Sequence, residues 1–344
     1  METTSPLYPN MYTFLVGEAG LGKSRAITAA ANLVREAIPE VNMGATSMTR
    51  ASLVDYMVES KRMLPQLPDP AIEYNSMLVV ADELSAFMHE YDSGLVAGLV
   101  EFYDVNPYSE GRRVAAIRIK LQRPQLSILA GSTPSNLVHT LKDYVWDQGL
   151  MSRVFLVFST EQPMIDTLSA PQKGKPNHLL HDLKMIFKLQ GKFTMTQEFK
   201  DAMWHWKLLK LDPAPDHPKL KHYCTRRWAH LLKLSMVASV DRGNSLELTK
   251  DDFNTAFGWL IDMESVMPLI FQIGSVAPDS RVMDEVVHFV RHQKNGISEY
   301  KVVNFIRQQV PGYSVKVILD NLVAARLIRV IGTDKHGLRV FTTP

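Results

Sequence analysis

Up to about residue 160 the chain alternates short apolar runs with stretches of helical periodicity. The run Tyr12–Val16 stops at Gly17, and Met77–Ala81, Gln125–Ala130 and Val154–Phe158 are of the same kind. Apolar runs this short, bounded by turn residues, predict strands buried on both faces of a parallel sheet. Ala26–Ala37 has an apolar helical face, and Thr49 is placed to cap a second helix, Arg50–Leu64, through Leu53, Met57 and Leu64. Val41–Ala45 reads as a short strand between them, and the proline-rich Pro65–Pro70 as a loop returning to the sheet. Residues 84–111 read as helix and then turn around Asn106-Pro107. Strands alternating with helices predict an α/β fold.

Residues 161–178 are polar and rich in proline and lysine, which predicts a linker. Four helical segments follow without a strand of note: His178–Leu189, Thr196–Leu211, Lys221–Val240 and Thr249–Phe271, the last opened by a Thr249–Asp252 capping pair. This reads as a helical lid. From Pro278 the pattern is three helices and a hairpin, with Ser298 and Ser314 as caps of the second and third and Leu327–Ile331 pairing with Leu338–Thr342. That order predicts a winged helix. The expected domains are therefore a core at 1–160, linker and lid at 161–277, and a winged helix at 278–344.

Composition narrows the setting. The 344 residues are 46% hydrophobic and 22% charged, as in an ordinary globular protein with a sizeable core. No apolar run is long enough to span a bilayer, and the N-terminus lacks a signal pattern, so the expectation is a cytoplasmic protein without a membrane partner. One cysteine, Cys224, excludes an internal disulfide and a cysteine-rich zinc site. With a net charge of only +2, a nucleic-acid partner must be sought in local clusters.

The sharpest chemistry lies between the first strand and the first helix, in Gly17-Glu18-Ala19-Gly20-Leu21-Gly22-Lys23-Ser24. Glycines let backbone N–H groups turn inward on a phosphate, and the helix N-terminus adds partial positive charge. Lys23 is placed to reach the terminal phosphates and Ser24 to ligate Mg²⁺, with Arg25 closing the segment. The spacing predicts a nucleoside triphosphate site. At the end of Met77–Ala81, Asp82 and Glu83 either hold a metal's water shell and polarise an attacking water, or merely begin the next helix. Thr133, after the strand Gln125–Ala130, either senses the terminal phosphate or belongs to a turn with Pro134 at a helix start. Arg153, before the strand Val154–Phe158, is either an ion-pair partner or a finger aimed at a neighbour's nucleotide. Arg112, Arg113, Arg118, Lys120 and Arg123 lie within Gly111–Pro124 with no acidic residue between them. Alternation there predicts a strand or hairpin whose charged face is either solvated or set against a nucleic-acid backbone. The C-terminal segment, with ten Lys/Arg against six Asp/Glu, fits DNA contact or protein contact equally.

GEAGLGKS, LVVADE, ILAGSTP, GLMSRVFLVF and TRRWAHLLKLSMVAS follow the order of an AAA+ ATPase core and lid, and the last two resemble the MCM replicative helicases. The stretch FYDVNPYSEGRR…QRPQLSILAGSTPSNL resembles phage and prophage ATPase modules of primase–helicase type, and the likeness covers residues 12–270. The resemblance implies ATP and Mg²⁺ as cofactors, with Lys23 and Ser24 on the phosphates and metal, Asp82 on the metal and Glu83 as general base. It gives Thr133 the sensor-1 place, where the MCM pattern has asparagine. Arg153 becomes a finger acting in trans and Arg226 the sensor-2 arginine, with Arg227 as its substitute. It also implies a ring, most simply a hexamer, with the basic stretch facing a channel that holds single-stranded or forked DNA, and a primase or other replication partner. The short stretch before the first strand implies that priming or origin recognition resides on another polypeptide. The function expected is that of a ring helicase motor of a phage or mobile element in a bacterial cytoplasm. A helicase loader or DNA-assembly regulator, or a nucleotide-switched scaffold or defence sensor, would use the same residues.

Overall fold

The computed structural model describes residues 6–65, 68–88, 92–112, 117–141, 145–146, 148–161, 177–274, 278–293, 296–307 and 309–343. The chain divides into two compact units, Met1–Gly274 and Ser275–Pro344. The core and lid segments thus share one unit.

The first strands in chain order are β1 (Tyr12–Val16), β2 (Lys61–Leu64), β3 (Ile72–Ala81), β4 (Tyr108–Arg112), β5 (Ile117–Leu121), β6 (Pro124–Ser132) and β7 (Val154–Phe158). Five of them form the central sheet, in the order β2-β3-β6-β1-β7, and β4 and β5 form a separate hairpin. β3, β6, β1 and β7 are parallel, and only the edge strand β2 runs the other way. The connecting helices are α1 (Lys23–Ala37), α2 (Arg50–Glu59), α3 (Leu84–Phe87), α4 (Ser93–Tyr103) and α5 (Pro134–Thr140). Phe14, Val79, Leu126, Ile128 and Val154 are buried in one core with Leu53, Leu99 and Phe102 from the helices. Each such side chain contributes about 1.5–3 kcal/mol by leaving water. This is an α/β fold with a parallel-rich sheet.

Two expectations near the sheet edge need correction. The helix from Arg50 ends at Glu59, not Leu64, and residues 61–64 form β2 against β3. The cause lies at Ser60, whose Oγ donates to the Met57 carbonyl at 2.7 Å while Asn75 Nδ2 donates to the same oxygen at 2.9 Å. Side chains thereby occupy the carbonyl that residue 61 needs to extend the helix. Lys61 instead pairs with Asn75 across the strands, and its ammonium reaches Glu73 at 2.6 Å. The expected strand at 41–45 is a single parallel bridge, Met43 to Leu78. The helical reading of residues 84–111 resolves into α3, α4 and then β4.

The helical remainder of this unit comprises α6 (Asn177–Phe187), α7 (Gln197–Leu208), α8 (Lys221–Cys224), α9 (Arg227–Gly243) and α10 (Lys250–Gly274). The segment expected as one helix from Lys221 breaks between α8 and α9 at Thr225-Arg226. A two-residue parallel pair, β8 (Thr194–Met195) with β9 (Glu247–Leu248), was not anticipated. Asp252 accepts from the Thr249 N–H (2.7 Å), as the capping pattern predicts, and also from the Thr249 hydroxyl (2.9 Å). α10 is long and apolar enough to cross a membrane by length and composition alone. Here it is a packing helix, with Ala256, Leu260, Met267 and Ile270 fully buried. Its last residue, Gly274, lies so close to α5 that a Cβ would stand 2.5 Å from the Pro134 carbonyl.

The second unit contains α11 (Pro278–Arg291), β10 (Ile297–Ser298), α12 (Glu299–Ile306), α13 (Gly312–Ala324), β11 (Arg329–Thr333) and β12 (Arg339–Thr342). Its strands form an antiparallel sheet in the order β10-β12-β11 around a core of Val286, Val302, Ile306, Leu319, Leu322 and Phe341. The caps differ from expectation. Pro311 is the N-cap of α13, so Ser314 is inside the helix. Ser298 holds the N-cap position of α12 but donates its hydroxyl to Asp334 Oδ2 at 2.7 Å, tying the helix start to the hairpin turn.

Candidate functional site

The register of the sheet builds the site. Val16 stands opposite Ser132, Leu15 opposite Gly131, and Phe14 opposite Ala130, which pairs onward with Ala81. The carboxyl ends of β1, β6 and β3 therefore finish side by side, with Gly17, Thr133 and Asp82 emerging from one edge of the sheet. The chain leaves β1 for strands on one side and returns through β7 on the other. Such a reversal opens a crevice outside the strand ends, the usual ligand position in an open α/β sheet.

Gly17 N donates to the Ser132 carbonyl at 3.2 Å as the last bond of the ladder, and the loop then lifts away. Gly20 and Gly22 have φ of +87° and +82°, conformations that L side chains rarely adopt. Gly22 is the N-cap of α1 with no side-chain cap, and no acidic residue lies in the first turn. The first N–H groups of a fifteen-residue helix thus face the loop unneutralised. Lys23 Nζ donates to the carbonyls of Gly17 (2.8 Å) and Glu18 (2.9 Å), so its ammonium lies over the loop. Glu18, Ala19, Ser24 and Arg25 are exposed and Leu21 is half-buried.

Asp82 and Glu83 are both exposed at the tip of β3. Close approach of this tip to β6 requires Gly131, where a Cβ would meet the Asp82 carbonyl at 2.4 Å. Glu83 holds the N-cap position of α3 without a side-chain cap bond, so its carboxylate is not spent on starting that helix. Thr133 does have a structural role: its Oγ1 accepts from the Asn136 N–H at 3.2 Å and caps α5. Among the described residues no group of three His, Cys, Asp or Glu could hold a metal. Ser24, in the first turn of α1, and Asp82, at the tip of β3, are nevertheless an exposed hydroxyl and an exposed carboxylate, hard-oxygen donors of the kind Mg²⁺ takes together with water and substrate phosphate.

The arginines lie at the opposite edge. Val154 pairs with Tyr12, so Arg153 stands level with Met11, six residues along β1 from Gly17. At about 3.3 Å per residue that is about 20 Å, beyond the reach of an arginine side chain. Arg153 is buried, with Nη1 donating to Gly149 O (2.8 Å) and Nη2 paired with Asp104 Oδ2 (2.5 Å). Arg226, in the break between α8 and α9, reaches the other oxygen of the same carboxylate, Oδ1, at 3.2 Å. Lys233 lies nearby and is fully buried, donating to Asn10 O (2.5 Å) and Oδ1 (3.1 Å) over the Tyr103 ring. Burial pushes its ammonium down to about 7, against the pull of Asp104 and with the push of Arg226 and Arg153. His230 Nε2 donates to the Ser152 carbonyl at 2.9 Å, and burial pushes its imidazole down to about 3.

Arg227 is structural. Its guanidinium takes both oxygens of Glu264 at 2.8 and 2.6 Å, donates to Leu211 O and Pro213 O, and stacks on Trp206. The pair is fully enclosed, so removing one partner leaves a buried uncompensated charge. Glu264→Ala is expected to lower unfolding stability by about 3–5 kcal/mol, read as a lower urea midpoint. A midpoint within error of wild type would contradict this.

The basic stretch is a hairpin, β4 antiparallel to β5. Tyr108, Ile119 and Leu121 turn into the core, and Arg118 and Lys120 alternate with them on the exposed face. Arg112 is committed elsewhere, to Asp55 (2.7 Å), Glu110 (2.8 Å) and the Ala51 carbonyl (3.0 Å). Arg113 lies outside the described residues, and Arg123 is half-buried at the foot of β6. Arg118 and Lys120 have no ion pair among the described residues.

Asp104, Lys233 and Glu264 were not singled out from sequence. Each is a lone charged residue in an otherwise helical pattern, and its partners lie 37 to 223 positions away in the chain. No family model and no curated protein matches this chain. The functional reading therefore rests on the site itself.

Proposed function

We propose that this chain is a ring-forming, ATP-hydrolysing motor that moves on single-stranded DNA, with its first unit an AAA+ core and lid and its second a winged helix. The observation that carries this is the separation of the phosphate loop and carboxylates, at one edge of the sheet, from Arg153 and Arg226 at the other. A protomer with that layout has one half of an active site at each edge, and a neighbour must complete it. Lys23 and the loop N–H groups bind the triphosphate, Ser24 and Asp82 hold the Mg²⁺, and Glu83 takes a proton from the attacking water. Mg²⁺ held there would supply positive charge to offset that developing on the phosphate oxygens. Arg153 and Arg226 of the adjacent protomer supply the remaining positive charge. A ring repeats the Arg118–Lys120 face around a channel, so that a modest basic surface on each protomer sums to a track for a phosphate backbone.

The test is ATP hydrolysis with and without single-stranded DNA, comparing wild type with Arg118→Ala/Lys120→Ala. The double variant is expected to keep its basal rate and lose DNA stimulation. Its log–log salt dependence of DNA binding should be shallower by about one for each phosphate contact removed. Full stimulation in the double variant would sink the channel role of the hairpin.

A further inference from the structure

We propose that Asp104 is the positioning residue that holds Arg153 and Arg226 as one unit and presents both to the triphosphate of a neighbouring protomer. The proposal rests on the shared-site reading above and adds to it a residue that neither motif nor resemblance singled out. Arg153 belongs to the single 3₁₀ turn before β7, and Arg226 to the break between two lid helices. One carboxylate joins them, Oδ2 to Arg153 and Oδ1 to Arg226. Asp104 is itself fixed at the C-terminal end of α4, where the preceding Tyr103 carbonyl accepts from Asn10 Nδ2 at 3.0 Å.

Charge and geometry both favour an anion here. Arg153 and Arg226 share a single carboxylate, so cations outnumber the acid, and Lys233 lies over the ring of the adjoining Tyr103. Two guanidiniums set by the two oxygens of one carboxylate have the spacing to grip two oxygens of a phosphoryl group, since arginine forks match both anions. The side chains of Asp104 and Arg226 are each about one third exposed, so the pair is reachable from solvent, whereas Arg153 alone is not. Without the carboxylate, the two guanidiniums would face one another with no acid between them and spread apart. A misplacement of about 1 Å costs on the order of 10²-fold in rate.

The experiment uses the full chain and mixes variants before assembly. Asp104→Asn is expected to lower kcat by about 10²-fold, with nucleotide affinity of its own loop unchanged. Mixed with Lys23→Ala, which keeps its arginines, Asp104→Asn should regain hydrolysis, as Arg153→Ala does with the same partner. Mixed with Arg153→Ala it should stay inactive, because neither chain then offers a competent pair. Asp104→Glu keeps the charge and shifts both guanidiniums by a methylene. It should show the same mixing pattern with a loss of only about tenfold, and it carries the test if Asp104→Asn does not fold. If Arg153→Ala is rescued by Lys23→Ala and neither Asp104 variant is, Asp104 serves its own protomer and the proposal is overturned. If Arg153→Ala is not rescued either, the shared site itself is wrong and the proposal falls with it.

Discussion

Glu83→Gln is expected to lower kcat for ATP hydrolysis by about 10²–10⁴-fold, the usual contribution of a positioned general base, while nucleotide still binds. The carboxylate is exposed at the tip of β3, makes no cap bond to the helix it precedes and has no ion pair among the described residues. Glutamine keeps its shape and hydrogen-bonding reach and removes only the ability to accept the proton. Asp82, one residue earlier, continues the register of β3 to stand level with Gly131 and Leu15, and is the acid we place on the metal. The two acids therefore separate by assay. Asp82→Asn should raise the Mg²⁺ concentration needed for activity, while Glu83→Gln should leave that requirement unchanged. Phosphate release under steady state gives kcat, and a fluorescent nucleotide gives affinity. A Glu83→Gln rate within threefold of wild type would remove Glu83 from the chemistry.

How far the sequence leads is clearest where local chemistry decides. The strands around Gly17, Asp82 and Val154 are legible because buried parallel strands must be apolar throughout and because glycine is needed where φ is positive. The capping pair at Thr249 and Asp252 is legible for the same reason, since three residues contain the whole interaction. The errors arise where distant residues intervene. α2 ends early because Asn75, on the next strand, takes the Met57 carbonyl. Ser298 keeps the N-cap position the sequence assigns it, but its hydroxyl goes to Asp334 in the hairpin turn. Arg226 and Arg227 are adjacent and indistinguishable in a basic turn, yet one is enclosed by Glu264 and the other reaches Asp104. Sequence spacing could nominate an arginine there. Only the packing of α9 and α10 decides which of the two remains available.

Arg153→Ala is expected to lower kcat by about 10³–10⁵-fold, as loss of an arginine finger does in other nucleotide hydrolases. The lower figure corresponds to about 4 kcal/mol of transition-state stabilisation. A purely structural arginine could also inactivate the chain, because Arg153 is buried and ion-paired. Two observations separate these explanations. A shared site makes wild-type specific activity fall on dilution, as neighbours part, whereas the residual activity of Arg153→Ala should not depend on concentration. Arg153→Lys retains the charge but not the fork that spans Gly149 O and Asp104, so it should recover stability more fully than rate. If wild-type specific activity is independent of dilution across the assembly range, each protomer completes its own site. The separation of about 20 Å between Gly17 and the level of Arg153, about six residues of strand, would then have to close by movement within one chain.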